Sequence, residues 1–178
     1  VKMGEGMNRK TRAVISEMAQ PLGNAIGNAI EVIEAVDVLK GEGPEDIKKL
    51  CLTLSANLIQ MAGKAPDFKS AYSLLEENIE SGKALESFIS FIKAQGGDDA
   101  FVDDYDLLPK AKIISEIFPE KSGTIASIQS DEIGIASLIL GAGREDLDDK
   151  IDHSAGIYIL KKIGDQVTLD EPMAIFYT

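Results

Sequence analysis

The feature that most constrains the fold is a change in hydrophobic periodicity about halfway along the chain. Apolar residues recur at helical spacing up to Ala94, whereas the later apolar runs are short, rich in isoleucine and separated by turn residues. Acidic residues and Pro109 lie between the two regions. Helices followed by strands are typical of an α+β fold or of two domains. We therefore predict two segments, 1–98 and 111–178, joined by a linker at 99–110.

Four helices are predicted in the first segment. Pro21 and Gly23 mark a loop, after which Asn24 is placed to cap the first helix, and Gly41 ends it. The other helices are predicted from Pro44 to about Gly63, from Asp67 to Glu80, and from Lys83 to Ala94. Each shows an apolar stripe with the spacing of one helix face.

A short apolar run, Ala13-Val14-Ile15, precedes these helices and predicts a strand. A lone strand is not stable by itself, and no partner strand lies next to it in the sequence. We therefore expect segment 1–98 to be the remainder of a truncated α/β domain, with one strand and about four helices, whose other strands are encoded earlier in the gene.

The second segment predicts a small, β-rich α+β domain. One helix is expected from Asp131 to Gly141 or Gly143, because aspartate favours a helix start and glycine a helix end. The remaining apolar runs predict strands at 111–118, 123–129, 156–163 and 172–178.

The composition limits the classes of partner. A formal net charge of −12 opposes a large nucleic-acid surface and an anionic membrane, because either contact requires positive charge. Trp is absent and aromatic residues make up only 6% of the chain, which disfavours stacking on single strands. No apolar stretch approaches the roughly 20 residues that cross a bilayer. The single cysteine fits a reducing compartment, and we expect a cytoplasmic protein.

Two blocks of sequence contain specific motifs in addition to the apolar periodicity. The first is QPLGNAIGNAIEV at residues 20–32, followed by EA at 34–35 and LKGEGP at 39–44. The second is LILGAGR at 138–144, followed by Asp152, Gly156-Ile157 and KKIGDQV at 161–167. In order and spacing, these blocks resemble the thymidine and pyrimidine-nucleoside phosphorylase family over nearly the whole chain.

The resemblance implies an enzyme for the full-length protein. Members of this pentosyltransferase family catalyse the reversible phosphorolysis of pyrimidine nucleosides such as uridine and thymidine, with phosphate as co-substrate, to free base and (deoxy)ribose 1-phosphate. They combine a small helical domain with a large α/β domain, hold substrates in the cleft between them, and are usually homodimers. The family's catalytic histidine, phosphate loop and base-binding residues all match sequence upstream of this chain. We therefore expect no catalytic or substrate-binding residue here, and an inactive fragment that stops short of the family's C-terminus.

One site of the family falls within this chain. The resemblance implies a potassium ion bound by the backbone carbonyls of Leu22 and Ala25 and by the carboxylate of Glu34, with further ligands from the upstream segment. The chemistry suits these groups, because a hard cation prefers oxygen ligands and a proline-glycine turn leaves carbonyls free to turn inward. The alternative is a simple loop-to-helix turn with Glu34 on a solvated helix face.

Other candidate residues have ordinary interpretations. His153, the single histidine, follows Asp152, but its setting is more typical of a surface turn than of a catalytic base. The aspartates of the linker lack the glycine and terminal glutamate of an EF-hand loop, which favours a solvated linker over a calcium site. Gly23 and Gly27 lack the rest of a phosphate-loop signature and favour close helix packing instead.

Two alternatives to the phosphorylase stay open. Residues 164–172 are similar to the strand-turn pattern of biotinyl and lipoyl carrier domains, which would make the chain a non-catalytic carrier or assembly module. Such carriers display a lysine on a hairpin, and no lysine here has that setting, so only their barrel-sandwich architecture is retained in the prediction. The second alternative is a phosphoribosyltransferase, which shares the helical-plus-α/β plan; the GAGR block and the β-rich second segment favour the phosphorylase.

Overall fold

The computed structural model describes residues 1–144 and 146–178. Its α-helices are α1 (Lys2–Gly6), α2 (Ala29–Lys40), α3 (Glu45–Met61), α4 (Phe68–Glu80), α5 (Lys83–Ala94) and α6 (Ser130–Ser137). Its strands are β1 (Ala25–Gly27), β2 (Ile114–Ile117), β3 (Gly123–Thr124), β4 (Gly156–Ile159), β5 (Gln166–Val167) and β6 (Ala174–Tyr177). Short 3-10 helices span Ala100–Val102 and Tyr105–Leu107, and a π-helical turn at Leu138–Ala142 extends α6. The chain is therefore α+β, as predicted.

The ends of the helices follow local chemistry. The Asp67 side chain accepts a hydrogen bond from the Ser70 backbone N–H and caps α4, which holds the pKa of that carboxyl below its ordinary value. Gly41 ends α2 with a left-handed φ of 87°, and its N–H is bonded to the last turn of the helix. These local signals explain why the predicted spans of α3, α4 and α5 are confirmed almost to the residue.

The prediction that Asn24 caps α2 is wrong. Ala25–Gly27 forms strand β1, and the helix begins only after Asn28. The backbone of β1 pairs with β4, which lies far along the chain, so nothing in the local sequence marks the change. The close-packing prediction for Gly27 holds between strands rather than helices: a Cβ there would come within 2.6 Å of the Ala155 carbonyl oxygen.

The sheet joins the two predicted segments. Its four strands are antiparallel in the order β1-β4-β6-β2, so a strand of the first segment forms one edge of a sheet otherwise built by the second. Strands β3 and β5 pair separately. The predicted strand at 123–129 is therefore shorter than expected, and β5 was not predicted. The barrel-sandwich architecture and the boundary at 99–110 stay predictions.

The predicted strand at Ala13-Val14-Ile15 does not form in this chain, and its pairing with strands encoded earlier in the gene stays a prediction. These residues have no strand structure, and Ile15 is 99% exposed. A strand exists only through hydrogen bonds to a neighbour, and none of the strands among the described residues runs beside this run. The preceding residues instead form α1, which the sequence did not suggest.

The main hydrophobic core lies between the four-stranded sheet and α6. Its centre is Ile157, which is 0% exposed, together with Ile159 and Ala174. Partly buried apolar side chains from three directions complete it: Ile26 from β1, Ile117 and Phe176 from the other strands, and Ile133, Ala136 and Leu140 from the helical side. This core fixes β1, and hence the loop before it, against the second segment.

The acidic linker is attached to α2 rather than fully solvated. Val102 is 1% exposed, and its carbonyl accepts a hydrogen bond of 2.6 Å from the Lys40 ammonium. The Tyr105 hydroxyl donates to Asp37 Oδ1 at 2.5 Å, and burial together with this carboxylate raises the pKa of Tyr105 far above its ordinary value. Linker carboxylates also cap their own turns, as Asp104 does for the Asp106 N–H.

None of the helices among the described residues combines the length and the hydropathy that a membrane span requires.

Candidate functional site

The loop at residues 20–24 leads into β1 and lies over α2. Leu22 is 49% exposed, whereas Ala25 is 4% exposed and Glu34 only 5%. Glu34 Oε1 accepts hydrogen bonds from the backbone N–H groups of Asn24 (2.8 Å) and Ala25 (3.1 Å). The predicted ligands Leu22, Ala25 and Glu34 line one pocket, and Glu34 does not lie on a solvated helix face.

The register of β1 determines where the Ala25 carbonyl points. The Ile159 N–H donates to the Asn24 carbonyl at 2.7 Å, and the next residue, Ala25, lies opposite Tyr158. Bonded and non-bonded pairs alternate along antiparallel strands. Ala25 therefore turns both its N–H and its carbonyl away from β4, toward the free edge of the sheet. The N–H reaches Glu34 there, and the carbonyl oxygen faces the same side.

Gly23 allows the loop to close over Glu34. Its φ is +67°, in the left-handed region that favours glycine. A Cβ at this position would overlap Glu34 Oε2 and the Ile47 side chain. The second carboxylate oxygen of Glu34 therefore lies directly under the Gly23 backbone.

We expect Gly23→Ala to destabilise the chain more than Gly41→Ala. Both residues have positive φ, so both substitutions carry a backbone strain of about 1 kcal/mol. A Cβ at Gly41 meets nothing within 4 Å, whereas at Gly23 it overlaps buried groups and adds about 1–3 kcal/mol. Urea unfolding of both variants measures the difference. Equal losses of stability would show that the packing over Glu34 is loose.

A lysine that sequence reasoning left without a role completes the loop. Lys162 Nζ donates to the Pro21 carbonyl at 2.7 Å and to the Gly23 carbonyl, and it lies 3.7 Å from Asp46 Oδ2. Asp46 also accepts from the Gly23 N–H at 3.1 Å. Lys162 belongs to the KKIGDQV block that carried the family resemblance, but we placed it within a strand. The signal was present in the motif, while the contact depends on the fold.

The electrostatics of Glu34 suit a bound cation. Burial raises the pKa of its carboxyl above the ordinary value, and the backbone N–H groups of Asn24 and Ala25 and the charge of Lys162 oppose this shift only in part. The ionised form is therefore costly, and a nearby positive charge would offset that cost. Among the described residues no group of three or more His, Cys, Asp or Glu is placed to hold a metal. A cation at this loop would depend on backbone oxygens beside one carboxylate, the donor set of a hard ion.

The other candidates have structural roles. His153 lies in an exposed turn, and its backbone carbonyl accepts a hydrogen bond of 3.0 Å from the Ala29 N–H at the start of α2. The GAGR block also contacts the first segment, because the Asn28 side chain donates to the Ala142 carbonyl at 2.7 Å. The two blocks that carry the family resemblance therefore pack against each other.

Comparison with known proteins supports the same family. Residues 124–178 match the family model described as "Pyrimidine nucleoside phosphorylase C-terminal domain". The chain is 48% identical over 177 residues to the pyrimidine-nucleoside phosphorylase of Bacillus subtilis (strain 168), an alignment that covers 99% of the chain. It is 45% identical over 178 residues to that of Geobacillus stearothermophilus, and 46% identical over 178 residues to that of Staphylococcus aureus (strain USA300).

The matches cover this chain and its relatives to different extents. Each covers essentially the whole chain but only 41% of the relative. The family model lies at the C-terminal end of the chain. Residues 1–178 are therefore similar along their whole length to part of the pyrimidine-nucleoside phosphorylases, and their last third matches the C-terminal domain of that family.

Proposed function

We propose that this chain is part of a longer protein that catalyses the phosphorolysis of pyrimidine nucleosides. In that reaction a phosphate oxygen bonds to C1′ of the pentose, the glycosidic C–N bond breaks, and its electron pair leaves with the base. The products are a free pyrimidine and a pentose 1-phosphate. The observation that carries this proposal is 45–48% identity along the whole chain to enzymes of that name.

We further propose that the loop and Glu34 bind a monovalent cation, potassium, in the full-length protein. The Leu22 and Ala25 carbonyls and the Glu34 carboxylate would hold it, together with groups outside this chain. The ion supplies fixed positive charge that balances the buried carboxylate. This chain's own residues orient the site: Gly23 places the loop over Glu34, and β1 turns the Ala25 carbonyl outward. By ordering this loop, the ion would help to keep the helical part of the protein in place against the β-rich part.

We expect the 178-residue chain by itself to show no phosphate-dependent cleavage of uridine or thymidine. The described residues contain no histidine beside a phosphate-binding loop, because His153 is exposed in a turn. The assay follows release of free uracil or thymine with and without phosphate, and the Bacillus subtilis relative serves as the positive control. Cleavage above the phosphate-free background would mean that catalytic residues lie within this chain after all.

The resemblance also implies a cytoplasmic homodimer for the full-length protein, and we propose that state. Light scattering of the purified full-length protein at several concentrations measures it directly. A monomer at all concentrations would contradict this part of the proposal.

A further inference from the structure

Lys162 is held at a defined point beside the loop at residues 20–24. Its backbone N–H donates to Asp165 Oδ2 at 2.7 Å, and the next N–H, that of Ile163, donates to the Gln20 side chain at 2.8 Å. The first bond closes the turn between β4 and β5 on itself, and the second fixes that turn to the loop. The Lys162 side chain is only 20% exposed, so most of it is shielded from solvent.

The neighbouring lysine provides a contrast. Lys161 pairs with Glu171 at 2.8 Å, away from the loop, on a carboxylate that is 57% exposed. Only Lys162 directs its charge to the carbonyls of Pro21 and Gly23, the two residues that flank the proposed ligand Leu22. Lys162 therefore holds the carbonyls on either side of Leu22.

The charges of this chain that act on Glu34, those of Asp46 and Lys162, sum with its own to a small negative value; Glu31, which lines the same pocket, is exposed and accepts from the Gly27 N–H. Glu34 and Asp46 are carboxylates, and Lys162 is the cation that acts on both. Two negative groups and one positive group leave one formal negative charge. A single monovalent cation neutralises that charge, whereas a divalent cation leaves an excess of positive charge in a half-buried site.

We propose that Lys162 determines the charge preference of this site, favouring a monovalent over a divalent cation. This inference rests on the proposed cation site. Without the ammonium, the Pro21 and Gly23 carbonyls and the Asp46 carboxylate become available as oxygen ligands, and the formal charge becomes twice as negative. Calcium affinity increases with the number of carboxylates and oxygen ligands. Loss of Lys162 therefore converts a site for potassium into one that favours calcium.

The test compares five proteins in the full-length background: wild type, Lys162→Met, Lys162→Gln, Lys162→Arg and the control Lys161→Met. Thermal unfolding midpoints are measured against KCl and against CaCl2, with choline chloride holding the ionic strength constant. We expect the ratio of calcium to potassium affinity to rise about tenfold or more in both Lys162 variants, because one unit of charge is removed close to the ion. Lys161→Met leaves the ratio unchanged. Lys162→Arg, which keeps the charge, is expected to stay close to the wild type.

The outcomes separate the two proposals. If wild type is stabilised by potassium and the ratio is unchanged in Lys162→Met and Lys162→Gln, the role of Lys162 is refuted while the cation site stands. If Lys162→Arg shifts the ratio as far as Lys162→Met, the geometry of the lysine rather than its charge is responsible, and the inference is wrong. If wild type responds to neither ion beyond choline, the cation site itself fails. Should Lys162→Met not fold, Lys162→Gln, which keeps hydrogen-bond donors, provides the comparison.

Discussion

Replacing Glu34 by alanine in the full-length protein is expected to lower kcat/KM for uridine phosphorolysis by about 100-fold, the scale of loss when a small displacement disturbs a reacting geometry. Glu34 is buried, binds the backbone N–H groups of both Asn24 and Ala25, and lies directly under Gly23. Its removal breaks the two hydrogen bonds that hold the loop and takes away the only carboxylate among the proposed ligands. Replacing potassium by choline in the wild-type assay is expected to reduce activity in the same way.

Two further variants separate the charge of Glu34 from its packing. Glu34→Gln keeps an oxygen that accepts from Asn24 and Ala25 but cannot balance a cation, so we expect it to lose the response to potassium while keeping most of its stability. Glu77→Ala, on an exposed face of α4, is the matched control and should retain full activity. Normal turnover of Glu34→Ala, with or without potassium, would show that Glu34 has only a structural role.

The second large effect concerns folding. Ile157→Ala is expected to destabilise the chain by about 3–5 kcal/mol, because it removes a fully buried side chain and leaves a cavity. Ile157 pairs with Ile26 on one side and Phe176 on the other, so the cavity would lie where β1 joins the rest of the sheet. Small domains are stable by only about 5–15 kcal/mol, and a loss of this size therefore leaves much of the chain unfolded under mild conditions.

Urea unfolding followed by circular dichroism measures this loss. Ile15→Ala is the control, since Ile15 is 99% exposed and its truncation should change stability by less than about 0.5 kcal/mol. Similar midpoints for the two variants would show that the packing at the centre of the sheet contributes little, and that β1 is held by other contacts.

The helices show which information is local. Asp67 caps α4 through its own side chain, and Gly41 ends α2 through its own φ, so both signals act within a few residues. The strand predicted at Ala13-Val14-Ile15 does not form in this chain for the opposite reason. An apolar run becomes a strand only when a partner lies beside it, and the described residues provide none.

The candidate site likewise contains some residues that the sequence identified and one that only the fold brings there. The family resemblance named Leu22, Ala25 and Glu34; the three residues line one pocket, and the ion stays a prediction. The role of Lys162 was missed, because its ammonium reaches the Pro21 carbonyl from the other end of the chain. The pairing of β1 with β4 brings those two regions together.

The sequence by itself determined the spans of α3, α4 and α5, the change to short strands, and the family to which the chain corresponds. These depend on side-chain periodicity, caps and motif spacing, all of which are determined by residues close together in the sequence. Only the tertiary structure decided that Ala25–Gly27 is a strand, that Glu34 is buried beneath Gly23, and that Lys162 lies against the loop. Those features arise from hydrogen bonds and burial between distant segments, which become defined when the sheet closes.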